Sequence, residues 1–302
     1  MPYFKSMKIL GISGLFHDSA AALLLNGEII SAVQEERITR KKHDSNFPIN
    51  AIHLILKEND ININDIDFVV FYDKPFLKFE RLLETYIAEA PKGLRSFKKS
   101  MPIWLREKLF LKNYISKKLK EINNKFDTKK ILFSEHHISH ACSAFFPSPF
   151  EKALILTIDG VGEWATTTIS IGDKNNISIK KEIQFPHSIG LLYSAFTFYT
   201  GFKINSGEYK LMGLAPYGKP IYKDLILNNL IDLKEDGSFH LNQEYFNYMS
   251  GLKMINKKFI NLFKHPIRNP DRDKLTKFHM DIASSIQSVT EDIIIKIINH
   301  LS

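Results

Sequence analysis

The sequence predicts an α/β protein laid out as two similarly planned lobes with a cleft between them, and three observations predict it. Apolar runs of strand length alternate with glycine-bearing polar turns up to Gln34. The same plan returns after Ala153. Each plan is followed by segments whose apolar residues recur at helical spacing.

The first plan reads as a buried strand over Lys8 to Ser13, a polar turn over Gly14 to Ser19, a strand over Ala20 to Leu25 and another over Ile29 to Gln34. Asn26-Gly27 joins the last two and is a strong hairpin signal, because both residues tolerate positive φ. Pro48 opens a helix with Ile52, Ile55 and Leu56 on one face. Phe68 to Tyr72 is a further buried strand. The stretch from Phe76 to Lys125 reads as helical, with breaks near Pro91-Lys92-Gly93 and Pro102. Ile131 to Phe133 is a short strand leading into a helix over His136 to Phe146.

The second plan has strands over Ala153 to Ile158, Thr166 to Ile171 and Ile177 to Ile183, with Asp159-Gly160-Val161-Gly162 as the first turn. The recurrence is architectural, since few residues match. By analogy, paired glycine-bearing turns facing a cleft are how the actin/Hsp70/sugar-kinase architecture, a ribonuclease H-like duplicated fold, holds phosphates. Lobe I is expected over residues 1–150 and the start of lobe II over 151–302. The closing helix is Phe278 to Leu301, with Phe278, Ile282, Ile286, Val289, Ile293, Ile297 and Leu301 at helical spacing. A second lobe built like the first needs a further strand after this helix, so lobe II is expected to be incomplete.

Composition narrows the function classes. The 302 residues are 44% hydrophobic and 25% charged, an ordinary globular balance. The net charge of +8 is concentrated between Lys92 and Lys130, including Lys98, Lys99, Arg106, Lys108, Lys117, Lys118 and Lys120. No nucleic-acid module accompanies that run, so it is expected to be a solvated helical face and not a nucleic-acid surface. Cys142 is the single cysteine, which excludes an intrachain disulfide, fits a reducing cytoplasmic setting, and among small residues reads as packing. No run reaches transmembrane length, and the start lacks a signal-peptide h-region, so no membrane partner is expected.

Five stretches could carry chemistry. In His136-His137-Ile138-Ser139-His140, a helix places His136 and His140 on one face, where both imidazoles can reach one cation. Asp159-Gly160-Val161-Gly162-Glu163 ends a buried strand, with glycines that let backbone N–H groups approach an anion, although a plain turn explains it equally. Ser13 to Ser19 holds His17 and Asp18, a pair able to act as a base or to hold phosphate, or simply to be solvated. Gln34 to Arg37 and Arg40 to His43 bring Arg37 and Lys41, either as an exposed salt-bridged segment or as ligands for anionic oxygens. Gly207 to Gly218, with Glu208 and Lys210, reads as a rigid loop because of its three glycines and its proline.

Together these stretches resemble the O-carbamoyltransferase family of nodulation-factor and antibiotic-tailoring enzymes. The matching text is ILGISGLFHDSAAALLLNGEI, QEERITRKKHDSNFP, HHISHACSAFF, LTIDGVGEWATT, SIGLLYSAF and SGEYKLMGLAPYG, in order from Lys8 to the last helix. The resemblance implies the front part of the actin-like domain that passes a carbamoyl group from carbamoyl adenylate, made from carbamoyl phosphate and ATP, to a hydroxyl of a small-molecule or sugar acceptor. It implies a divalent metal, iron first and zinc second, held by His136, His140 and Asp159. It further implies Gly160, Val161 and Gly162 at the adenylate phosphate, His17 as base with Asp18 orienting it, and Arg37, Lys41, Glu208 and Lys210 as further contacts. Members of the family continue with a Gly-Gly strand-turn, a fourth metal ligand and a C-terminal adenylate-forming domain, all absent here. The chain is therefore expected to be one part of a split or truncated enzyme that needs a second chain and is inactive alone. Two alternatives remain at this point: a non-catalytic remnant or binding module of the same fold, and a threonylcarbamoyl transferase acting on tRNA, a related fold that also uses histidines one turn apart.

Overall fold

The computed structural model describes residues 6–104 and 110–301, with nothing of the Ile103 side chain. Arg106 and Lys108 of the basic run lie outside the described residues. The chain divides into two compact units, one of Met1–Phe79 with Met101–Ser139, the other of Glu80–Ser100 with His140–Ser302.

The first unit holds a five-stranded sheet. Strands β1 (Lys8–Ser13), β2 (Ala20–Leu25) and β3 (Glu28–Gln34) form an antiparallel meander. Asn26 and Gly27 take φ of 54° and 92° in its second turn, as the hairpin signal requires. A short helix α1 (Glu35–Thr39) and the helix α2 (Ile49–Glu58) follow, and they supply the crossover that lets β4 (Phe68–Phe71) run parallel to β1. Helices α3 (Pro75–Ala88), α4 (Leu94–Ile103) and α5 (Leu111–Ile122) precede β5 (Ile131–Phe133), which runs parallel to β4. The sheet order is β3-β2-β1-β4-β5. The core of this unit packs Leu10, Ile12, Leu23, Val69 and Phe71 against Ile52 and Ile55 of α2 and Ile115 and Leu119 of α5. Lys117 and Lys120 stand on the exposed side of α5, as expected of a solvated face. Pro102 lies one residue before the end of α4 at Ile103, close to the expected break.

Glu35 departs from its sequence reading as part of an exposed charged segment. It is buried, and its carboxylate accepts hydrogen bonds from the backbone N–H of Asn50 and Ala51 and from the Asn50 side chain. It thereby caps α2, whose own N-cap residue, Pro48, offers no side-chain acceptor. Glu35→Gln replaces one acceptor oxygen with a donor that faces other donors. Hydrogen bonds to charged groups contribute about 1.5–3 kcal/mol, so a loss of about 2 kcal/mol in urea unfolding is expected.

The helix α6 (His136–Phe145) carries the chain into the second unit. There β6 (Lys152–Ile158), β7 (Ala165–Asp173) and β8 (Asn176–Gln184) form another antiparallel meander, in the order β6-β7-β8. Among the described residues β6 has a strand neighbour on one side only. Helices α7 (Ile189–Tyr199), α8 (Glu208–Leu214) and α9 (Lys223–Leu230) follow, then the two-stranded pair β9 (Ile231–Leu233) and β10 (Phe239–Leu241), then α10 (Lys257–Phe263) and the long α11 (Lys277–Leu301). Leu192, Phe196 and Tyr199 of α7, Phe259 of α10 and Ile282, Ile286, Val289 and Ile293 of α11 form the core of this unit.

The rigid loop expected over Gly207 to Gly218 is instead α8 followed by a 3-10 turn over Ala215–Tyr217. Leu211, Leu214 and Ala215 are buried on one side, and that apolar face outweighs the helix cost of Gly213, about 1 kcal/mol. Overall the protein is a mixed α/β fold with one sheet that contains parallel pairs. No helix among the described residues is long and apolar enough to cross a membrane.

Candidate metal centre

His136 opens α6 and His140 follows one turn later, so the helix itself aligns their rings. Their ligand nitrogens lie within 4.8 Å of each other, and a carboxylate oxygen of Asp159 comes within that distance of His140. The Ser139 hydroxyl, between the two histidines, donates to the backbone carbonyl of Tyr72, while the Tyr72 ring sits 5.4 Å from that of His136. Further along the helix, Ala141 and Phe145 pack on Ile155 of β6.

Asp159 is placed by the backbone. Its N–H donates to the Thr166 carbonyl, prolonging the β6-β7 ladder by one residue. Ser188, the N-cap of α7, accepts from the Leu191 N–H and donates its hydroxyl towards the carbonyls of Asp159 and Gly160. Gly190 lets α7 approach the turn. A Cβ there would stand 2.6 Å from the Asp159 carbonyl oxygen and 2.7 Å from the Gly160 nitrogen. Gly190→Ala is expected to push helix and turn apart at a cost of about 1–3 kcal/mol. A lowered thermal midpoint together with weakened zinc retention would show it.

Two imidazoles and a carboxylate are a donor set for Fe(II) or Zn(II). Bonds of about 2.1 Å separate donors by about 3–3.5 Å, so small side-chain rotations would close the set on one ion. These residues fit such a cation.

In the turn beyond Asp159, Gly162 donates its N–H to the Ala165 carbonyl at 2.9 Å. Gly160 and Val161 make no such backbone bond among the described residues. Glu163 is buried and lies close enough to Arg81 to favour the charged guanidinium. Burial is nevertheless the larger influence and lowers Arg81 to about 10, with the guanidinium 4.8 Å above the Phe185 ring. The sequence offered no sign of Arg81, which sits without a motif in an amphipathic helix.

The remaining expected residues fall elsewhere. Glu208 accepts from the Ser194 hydroxyl and from the N–H groups of Asn205 and Gly207, so its carboxylate fastens the turn before α8 onto α7. Lys210 is exposed, its ammonium 6.0 Å from the Tyr209 ring. Arg37 and Lys41 are exposed on and after α1. Cys142 is half-buried, and burial pushes its thiol up, which disfavours the nucleophilic thiolate.

His17 and Asp18 do meet, and a residue not assigned from the sequence joins them. The Nδ1 of His17 lies 2.9 Å from one Asp18 oxygen, and the Nδ1 of His43 lies 2.9 Å from the other. The backbone N–H of His43 donates to Glu36 at 2.8 Å. Partial burial pushes Asp18 up, but its hydrogen bonds to His43 and His17 outweigh that and hold it below the usual carboxylate range.

Fold and site together define an α/β protein with a candidate two-histidine, one-carboxylate metal centre. The chain belongs to the family described as the carbamoyltransferase N-terminus, whose pattern matches residues 8–302. It is 59% identical over 293 residues to an uncharacterized protein, sll1178, from Synechocystis sp., covering 96% of this chain and 48% of that one. It is 31% identical over 288 residues to the nodulation protein NolNO of Sinorhizobium fredii, covering 95% of this chain and 38% of that one. The chain thus spans about half or less of the length of these relatives. A solved Ppx/GppA phosphatase from Aquifex aeolicus aligns with a TM-score of 0.30 at 13% identity, covering 97% of this chain and 92% of that one.

Proposed function

We propose that this chain is the acceptor-side part of an O-carbamoyltransferase, passing a carbamoyl group from carbamoyl adenylate to a hydroxyl of a small-molecule or sugar acceptor. Membership of the carbamoyltransferase family supports carbamoyl transfer in general. The observation that carries the finer reading is the convergence of His136, His140 and Asp159 at the end of β6. A divalent cation bound there, iron or zinc, would supply Lewis-acid stabilisation of phosphate oxygens.

The chain's own residues would do the rest. The N–H groups of Gly160 and Val161 would donate to the adenylate phosphate. The cationic ends of Arg37, Lys41 and Lys210 are candidates for anionic oxygens of the donor. His17, its Nδ1 tied to Asp18, would take the proton of the acceptor hydroxyl at Nε2. The acceptor oxygen then forms its bond to the carbamoyl carbon as the bond from that carbon to the phosphate oxygen breaks, and AMP leaves with the electron pair. ATP and carbamoyl phosphate would be consumed by the part that the longer relatives carry and this chain does not span.

The test is to co-produce the chain with that remaining part and supply ATP, labelled carbamoyl phosphate and a panel of hydroxylated acceptors. Transfer of label to an acceptor, together with iron or zinc bound in about one equivalent, is the expected result. A complex with neither metal nor transfer would overturn the reading in favour of a non-catalytic binding module.

A further inference from the structure

We propose that His43 is a second functional imidazole of this site, and that Asp18 is a shared positioning carboxylate holding His17 and His43 with both Nε2 atoms presented as bases. The inference deepens the carbamoyl-transfer reading by adding a residue to its proton-handling group, and rests on that reading for its chemistry.

An ionised carboxylate only accepts hydrogen bonds. Asp18 reaches both rings through Nδ1, at 2.9 Å each and with a different oxygen for each. Both histidines therefore carry their neutral-state proton on Nδ1 and leave the Nε2 lone pair free. The hydrogen bonds that keep Asp18 ionised support this assignment.

The meeting is built by two loops. Leu15 N–H donates to the Ser45 carbonyl and Ser19 N–H to the Asp44 carbonyl, which ties the turn after β1 to the segment after α1. Asp44 is buried and accepts from the Thr39 hydroxyl, the Asn46 N–H and the Asn46 side chain, so the second segment is rigid on its own account. Glu36 then fixes the His43 backbone. Asp18 and His43 adopt φ of 45° and 57°, a conformation that costs a non-glycine residue energy and here aims both side chains at one point. Both rings are otherwise exposed, His17 by 51% and His43 by 39%, so a substrate hydroxyl can approach either.

In the reaction, one Nε2 would take the acceptor proton as the new carbon–oxygen bond forms. The second imidazole, held by the same carboxylate, gives that proton an alternative seat, so loss of either ring slows the step without removing the site. Asparagine at position 18 has one acceptor oxygen and can hold only one of the two rings.

The test has two arms. In the first, the full chain is labelled with 15N-histidine and ring tautomers are read from long-range 1H–15N correlations at pH 8.5, with His17→Gln and His43→Gln assigning the signals. Wild type is expected to show Nδ1–H tautomers for both rings, and Asp18→Ala should move both towards the Nε2–H form with other histidines unchanged. An Nε2–H tautomer for His43 in wild type, or no response of His43 to Asp18→Ala, overturns the proposal. In the second arm, transfer by the co-produced complex is compared. His43→Gln is expected to lower kcat by about 10²-fold, within the usual range for a proton-transfer group, with the acceptor KM unchanged. An unchanged kcat overturns the role of His43. Absence of transfer by the wild-type complex defeats the underlying carbamoyl reading, and the tautomer arm still decides the shared carboxylate.

Discussion

Gly218→Ala is expected to leave the second unit at the edge of folding. The residue closes the 3-10 turn after α8, with φ of −106°, which any amino acid can adopt, so the cost is one of space. A Cβ would stand 1.9 Å from the Met280 carbonyl oxygen, 2.3 Å from its carbon and 2.7 Å from the Asp281 nitrogen. All three are backbone atoms of α11, and no rotamer change can relieve them. The segment cannot easily retreat, because Lys219 N–H donates to the Asp281 carboxylate at 2.7 Å and Tyr222 N–H to the Ser285 hydroxyl at 3.0 Å. Nor can α11, whose Ile282, Ile286, Val289, Ile293 and Ile297 run through the core. Overpacking usually costs about 1–3 kcal/mol when side chains can yield. Here more than about 3 kcal/mol is expected, against a total stability of about 5–15 kcal/mol for a domain. The thermal midpoint should fall by at least about 6–12 °C. Gly213→Ala is the control. Its Cβ meets nothing within 4 Å, and it should be neutral or stabilising by about 0.5–1 kcal/mol. A Gly218→Ala midpoint within two or three degrees of wild type, at about 1 kcal/mol, would refute the close packing.

His140→Ala should strip the proposed metal centre of its cation. His140 offers a ligand atom within 4.8 Å of those offered by His136 and Asp159. Losing a partner that merely supports a ligand typically weakens metal binding by about 10–100-fold, so removing a ligand outright should exceed about 100-fold. Metal content after dialysis against a weak chelator reads this directly. The helix should survive, since alanine has the higher helix propensity and His140 is exposed. An unchanged circular dichroism spectrum would thus separate metal loss from unfolding. Full zinc retention by His140→Ala would remove the trio from consideration.

These contrasts show where the sequence was readable. The strand β1 and the hairpin of β2 and β3 were legible because apolar runs and Asn26-Gly27 act locally, and the structure follows them almost residue for residue. The alignment of His136 and His140 was equally legible, being a property of one helix. Asp159 was suggested by family resemblance, since its approach to His140 depends on how α6, β6 and α7 pack. Glu35 was misread because a charge in sequence suggests exposure, while its real partners are the amides of a helix beginning at residue 49. His43 was passed over because its meeting with Asp18 is produced by two backbone bonds between loops, which no spacing rule encodes. The helix α8 was missed because Gly207, Gly213 and Gly218 and the proline weighed on the reading of the whole stretch, while the helix itself is seven residues, too short for periodicity to assert itself.

The outer flank of β6 has a practical corollary. Its amides and carbonyls find no neighbour among the described residues, Leu154 is 45% exposed, and Lys152 is the sole charge in seven residues. Such a flank templates intermolecular ladders. Solutions of the isolated chain should therefore turn cloudy above a threshold concentration, and Leu154→Lys should raise that threshold by putting a repelling charge on every copy.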